Sequence, residues 1–388
     1  MGMKVYMDYA ATTPVDPRVF KVMRPYFSKK FGNTMSLHSF GREAKKALED
    51  SRERVAKVIN ANPSEIIFTS GATESNNLAL KGVAFANKKK GKHLIVSSIE
   101  HHCVLDSARW LEKQGFEITY LKVDKYGLVD LAELEDSIRE DTILVSIMHA
   151  NNEIGTIEPI KEIGKICREK GVYFHTDAAQ SFGKVSIDVK KMNVDLLTAS
   201  SHKIYGPKGV GFLFIREGVE IEPLLHGGGH EFGLRSSTVN VAGIVGFAEA
   251  AEIARKEMKR EAERLTKLRR RLERGVLKIK NSHLNGHPTK RLPNISNFWF
   301  DFIEGEALVM YLDQKGIAAS TGSACSSESL EPSHVLLAIG LKPHQAQGSL
   351  RLSIGRFTTK KEVDYVLKVL PEVVERLRRI SPFKGKWS

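Results

Sequence analysis

Asp177, Gln180, His202 and Lys203 fall in one stretch, which reads VYFHTDAAQSFG over 172–183 and NVDLLTASSHKIYGPKGVG over 193–211. Two short apolar runs, 172–176 and 195–199, have the length and composition of buried strands. Asp177 and Gln180 stand at the end of the first. Ser200, His202 and Lys203 stand at the end of the second, followed at once by Gly206-Pro207-Lys208-Gly209. The carboxyl ends of parallel strands are where open α/β sheets bind ligands. A lysine between a histidine and a Gly-Pro turn, with an acid at the neighbouring strand end, suits pyridoxal phosphate (PLP). The lysine forms a Schiff base with that cofactor, and the acid keeps the pyridine nitrogen protonated so that the ring is an electron sink. Each residue alone has a plainer use, as a solvated lysine or a helix-capping aspartate. Together and in order they favour the cofactor.

Other strand ends add to the same site. Residues 66–70 run into Gly71-Ala72-Thr73-Glu74-Ser75-Asn76 and then a helix. The first N–H groups of a helix bind phosphate, which makes Ala72 and Thr73 the seat for the cofactor phosphate, with Ser200 and His202 as further donors. Residues 94–97 end in Ser98-Ile99-Glu100-His101-His102-Cys103. The paired histidines lack a third ligand at useful spacing, so His101 is expected to stack on the ring and move protons rather than bind metal. Residues 143–147 lead to His149-Ala150-Asn151-Asn152-Glu153, where an amide could bond the ring oxygen or the substrate. His226 to Glu231 holds three consecutive glycines and reads as a flexible loop presenting Arg235 to Thr238. Cys167 sits among apolar residues of an amphipathic helix and is expected in the core, while Cys103 could be core or pocket lining. Cys325 lies in Ser320-Thr321-Gly322-Ser323-Ala324-Cys325-Ser326-Ser327, with nothing to bury it, as a reactive thiol would.

The elements that must position these groups follow from periodicity. Strands are expected at 66–70, 94–97, 117–123, 143–147, 172–176, 196–199 and 210–215, mostly with helical segments between them. That alternation predicts an α/β fold with a largely parallel seven-stranded sheet flanked by helices. The last strand follows a turn too short for a helix and is expected to be antiparallel. Helices are expected at 17–27, 42–60 and 242–280, with a turn-rich break at 281–293. A strand at 295–300, a helix at 305–315 and a strand at 350–354 suggest a second, smaller α+β unit. Residues 15–255 are read as the large domain. Residues 1–14 and 256–388 are read as the small one, which carries the Cys325 loop.

The chain has 388 residues, with 59 Lys+Arg against 46 Asp+Glu and a net charge of +13. Much of the excess lies between Arg255 and Lys280, where glutamates and apolar residues interleave as on a solvated helix. No aromatics punctuate the basic residues, and no zinc-finger or helix-turn-helix pattern appears, so no nucleic-acid partner is expected. No apolar run is long enough to span a bilayer, so no membrane association is expected. Three cysteines do not make a disulfide framework, and a cytoplasmic location is the default.

With these residues in hand, the sequence resembles the cysteine desulfurases of the NifS/IscS type, which are fold-type-I, aminotransferase class V-like PLP enzymes. The motifs DYAATTP, GATES, HANNEIG, HTDAAQS, SSHKIYGPKG, RSST, STGSACSS and SLRLSIGRFT carry the resemblance nearly end to end. It implies that Lys203 carries PLP, Asp177 pairs with its pyridine nitrogen and Gln180 bonds its ring hydroxyl. His101 would be the stacking residue and proton shuttle, and Asn152 and Arg351 the substrate-orienting pair. Thr73, Ser200 and His202 would hold the phosphate. Thr238 would be lent to a neighbouring subunit's phosphate, which implies a homodimer with shared sites. Cys325 would accept sulfur from L-cysteine, leaving alanine and a persulfide, on the longer loop form (group I) suited to an acceptor such as an iron–sulfur scaffold protein. Ser237 stands where the family usually has Gly, which touches the contact across the dimer. A selenocysteine lyase or an aminotransferase on the same fold is the alternative; the latter would not need Cys325.

Overall fold

The seven expected apolar runs form one sheet in the computed structural model, which describes residues 3–322 and 331–381. Its strands lie in the order Ile66–Thr69, Gly211–Ile215, Leu196–Ser200, Tyr173–Asp177, Thr142–Ser146, His93–Ser97, Glu117–Leu121. Gly211–Ile215 is antiparallel to both of its neighbours, and the other pairings are parallel. A chain that must return within the 204–210 turn can only pair antiparallel, which is the physical content of that expectation. Six of the seven strands are buried along their whole length or all but one residue; the edge strand Glu117–Leu121 is half-exposed. Near-continuous apolar strands covered on both faces are the mark of such sheets.

A three-stranded antiparallel sheet, in the order Ser349–Ser353, Ile295–Phe300, Ser282–Asn285, forms the smaller unit. Its third strand falls in the stretch expected as a turn-rich break. Four residues of mixed polarity, only one of them fully buried, leave no apolar run to read. Val5–Tyr6 pairs in parallel with Ile317–Ala318, so the first described residues join the smaller unit. Helix Lys360–Ile380, to which the sequence reading assigns no element, packs Val363, Val366, Leu370, Val374 and Leu377 into that unit's core.

Helix Val241–Val276 ties the two units together. Its first half gives Ile244, Phe247, Ala251 and Ala254 to the core beneath the large sheet. Its second half gives Leu265, Leu272 and Val276 to the smaller core. Phe247 stacks on Phe212 of the sheet at 5.6 Å and meets Phe182 edge-on at 5.9 Å. Burying each such ring is worth roughly 1.5–3 kcal/mol, so this trio fixes the helix against the sheet beside the loop that follows Asp177. Among the described residues no helix is long and apolar enough to cross a membrane.

Candidate active site

Strands Ile66–Thr69, Tyr173–Asp177 and Leu196–Ser200 end at one cavity of about 630 Å³. Lys203, Asp177, Gln180, His101, Asn152 and Arg351 line it, and so do Ala72, Thr73, Ser200 and His202. Residues spread over nearly 280 positions of sequence thus meet at one cavity. Thr238 is exposed and does not line this cavity. Cys325 lies outside the described residues.

Lys203 follows strand Leu196–Ser200 in a single turn of 3-10 helix. Its Nζ donates to the carbonyl oxygens of Ala10 and Ala11, at 2.7 and 2.8 Å. Gln180 Nε2 donates to the same Ala10 oxygen at 2.9 Å. The segment that supplies these carbonyls also braces the lysine turn from outside. Thr13 donates through its N–H and its hydroxyl to the His202 carbonyl, and the Tyr205 N–H returns to Thr13 Oγ1 at 2.9 Å. Tyr205 is held at a φ of +69°, a conformation that costs a non-glycine residue energy and persists only where its surroundings fix it. The role of Ala10 and Ala11 escapes sequence reasoning, because a backbone carbonyl leaves no signature in the residue type.

Asp177 is buried, its Oδ1 accepting the Ala179 N–H at 2.8 Å and its Oδ2 accepting Asn76 Nδ2 at 2.7 Å. Arg351 Nη2 pairs with Asp8 Oδ1 at 2.9 Å, and its Nη1 donates to the carbonyls of Asn152 and Gly322. His202 Nδ1 lies 3.0 Å from Thr12 Oγ1. Burial, helped by the nearby Lys203, Lys208 and Lys184 charges, pulls His202 down to about 4, so its ring is neutral. Lys184 also escapes the sequence reading. Its Nζ donates to the Gln180 carbonyl at 2.8 Å, and packing together with the Lys203 charge pulls it down to about 7. Glu153, His102 and His334 complete the cavity wall, with Ser333 donating to Glu153 Oε2 at 2.6 Å. Among the described residues no three His, Cys, Asp or Glu side chains group so as to hold a metal ion.

Residues 226–230 form a largely exposed loop without helix or strand, but the residues after it are anchored. Glu231 is buried and accepts both Nη groups of Arg52 at 2.8 Å, and Arg235 pairs with Glu74 at 2.7 Å. Both charges sit within ordinary-looking polar sequence, and only the fold brings their partners to them. Cys167 is fully buried in the core, and Cys103 lines the cavity.

The wall suits pyridoxal phosphate. A Cβ on Gly211 would come within 2.8 Å of the Gly71 Cα, so glycine there lets the helix start press against the sheet at the cavity. The leading N–H groups of a helix lack partners within it and accept an anion. Opposite stands a lysine already held by two carbonyls, with an acid at the next strand end. Arg351 Nε is buried without a partner among the described residues, a donor that a bound carboxylate would satisfy.

The sequence signature of the aminotransferase class-V family matches residues 5–366. The chain is 55% identical over 388 residues to the cysteine desulfurase IscS of Dictyoglomus turgidum, covering 100% of this chain and 98% of that one. It is 57% identical over 382 residues to the cysteine desulfurase IscS of Methanosarcina thermophila, covering 98% and 95%. Its fold superposes on a solved NifS-like protein with a TM-score of 0.91 at 44% identity, over 97% of this chain and 100% of that one. Sequence signature, relatives and fold agree along nearly the whole length, and the chain belongs to the cysteine desulfurases of the aminotransferase class-V family.

Proposed function

We propose that this cysteine desulfurase works through Lys203, Asp177 and Arg351, and that it moves the sulfur of L-cysteine onto Cys325. The observation that carries this reading is the convergence of Lys203 and Asp177, from adjacent strand ends, on one cavity that also holds Arg351. Pyridoxal phosphate, when bound, supplies an electron sink that weakens the bonds at the substrate's Cα. Thr73, Ser200, His202 and the Ala72 N–H hold its phosphate. Asp177 holds the proton on the ring nitrogen, and the second Nε2–H of Gln180 serves the ring oxygen. His101 covers the ring. Arg351 and Asn152 orient the substrate carboxylate, which meets the Arg351 Nε that otherwise lacks a partner. Lys203 is the amine that carries the cofactor and, once released, takes the Cα proton on Nζ.

Cys325 then attacks the substrate sulfur. The C–S bond breaks, an S–S bond forms, and the substrate carbon takes a proton, so L-cysteine and one thiol become L-alanine and one persulfide. Gly322 lines the cavity, and Ser333 binds Glu153 of its wall, so both flanks of the segment holding Cys325 adjoin the site. A homodimer with shared sites is supported by the exposed Phe27, Phe31, Met35, Leu37 and Phe40, by Leu224, Leu225 and Phe232, and by the outward-facing Thr238. The persulfide is passed on to an acceptor such as an iron–sulfur scaffold protein.

Cysteine treatment without reductant, followed by peptide mapping, tests the assignment. A persulfide should appear on Cys325, and Cys325→Ser should still bind the cofactor while alanine release falls roughly a thousandfold, a hydroxyl being a far poorer attacker on sulfur. A persulfide on Cys103 or Cys167 with Cys325 unmodified would overturn it.

A further inference from the structure

The reaction above leaves Cys103 without a task, although its thiol lies in the cavity wall. Its sulfur is 3.1 Å from Asn76 Nδ2, and the same amide nitrogen gives its other N–H to Asp177 Oδ2 at 2.7 Å. A thiol that accepts from Asn76 still has one hydrogen to place. The acceptor beside it is His101 Nδ1, 3.0 Å away. That nitrogen also faces the Cys103 backbone N–H at 3.2 Å, where the imidazole caps helix His102–Glu112. A backbone N–H can only donate, so Nδ1 must present a lone pair.

We infer that Asn76 and Cys103 are positioning residues that fix His101 as the neutral tautomer with its proton on Nε2, and that one amide ties this choice to Asp177. The inference rests on the reading that His101 and Asp177 face the cofactor ring. A proton on Nδ1 would point at an N–H that cannot turn away. His101 therefore offers a hydrogen-bond donor from Nε2, and its resting state is not a base at that nitrogen. The charges around it divide. Asp177 on its strand favours the imidazolium, while Lys203 beyond the next strand, His102 on the same helix and His334 oppose it; burial, the largest effect, also favours the neutral ring. Burial pushes the Cys103 thiol up to about 12, so its hydrogen stays in place at any working pH.

Holoenzyme labelled with ¹⁵N-histidine tests this, with the His101 signals assigned by their loss in His101→Gln. Long-range ¹H–¹⁵N spectra should show Nδ1 bare and Nε2 protonated between pH 6 and 9. Cys103→Ala removes the thiol donor, and the His101 titration midpoint should rise by about one pH unit, roughly tenfold in proton affinity. Cys103→Ser keeps a donor and should restore the wild-type midpoint. Asn76→Ala should raise the midpoint as well, since an unsupported thiol can swing away from Nδ1. A wild-type His101 protonated on Nδ1, or midpoints unmoved in both Cys103→Ala and Asn76→Ala, would overturn the inference. These signals are read without turnover, so alanine release from the same samples judges the proposed activity separately.

Discussion

Exchanging the Asp177 carboxylate for an amide changes one charge and almost nothing of its shape. The amide oxygen could keep the bond from the Ala179 N–H, but the group could not hold a proton on a pyridine nitrogen. Asp177→Asn should therefore retain cofactor, seen in its absorption band, while turnover falls roughly 10²–10⁴-fold. An unchanged kcat would reduce Asp177 to the turn-capping role that its 2.8 Å bond to the Ala179 N–H already describes. What could be read at this scale from residue types at strand ends was Lys203, Asp177, Gln180 and His101, with Arg351 added by the resemblance alone; all five line the cavity. What could not be read were groups whose value lies in position. The Ala10 and Ala11 carbonyls, the two-way amide of Asn76 and the ammonium of Lys184 are ordinary in sequence. Each matters only because the fold sets it within 3.1 Å of a residue that the chemistry needs.

At the scale of elements, the strands were legible because a short apolar run between turn residues has few other fates in an alternating chain. Ser282–Asn285 was not, since a half-exposed edge strand keeps polar side chains. The anchoring of Glu231, at the end of the Gly-rich loop, was not legible for a related reason. Ile66–Thr69 is the edge of the large sheet, and its outer groups must find partners. Glu231 accepts the Phe68 N–H at 2.7 Å, and Arg52 donates to the Ile66 carbonyl. One buried ion pair thus serves the edge in place of a further strand. Glu231→Ala would leave the Arg52 guanidinium buried and uncompensated. The loss should be about 3–5 kcal/mol, measured by urea unfolding of the holoenzyme, because breaking one side of a buried pair costs more than removing both. A change below about 1 kcal/mol would mean that water replaces the carboxylate there, and that the edge does not depend on the pair.

At the scale of the whole molecule, buried titratable groups of opposite kinds set the response to acid. Burial pulls His149 down to about 4 and His175 to about 3, and lowers His93 as well. Below pH 6.5 the unfolded chain takes up protons that these rings refuse in the folded state, so stability falls with pH. Burial raises Glu158 to about 8, and raises Glu100 well above the ordinary glutamate value. Those carboxyls hold protons in the folded state that the unfolded chain releases above about 4.5, so they gain stability as pH falls toward that value. The two sets oppose each other between pH 6.5 and 4.5. Below 4.5 the carboxyl contribution is complete and the histidines continue alone, joined by Asp16, which Arg18 and Arg356 hold well below the usual carboxylate range. Calorimetry should find Tm nearly level from pH 6.5 to 4.5 and falling steeply below; an equal slope on both sides would show that the buried carboxyls do not keep their protons. The pairing of Val5–Tyr6 with Ile317–Ala318, and the bond from the Ala10 N–H to Ser353 Oγ at 2.9 Å, bear on how the molecule is made. A ribosome adds roughly 5–20 residues per second, so residues 5–11 emerge many seconds before the partners that seat them. The large sheet can form while the chain is still being synthesised, but the carbonyls that hold Lys203 settle only after strand Ser349–Ser353 has left the tunnel. A nascent chain is therefore expected to carry an unsecured cofactor lysine from the time Lys203 emerges until Ser349–Ser353 follows it, and to capture its cofactor as one of its last acts of assembly.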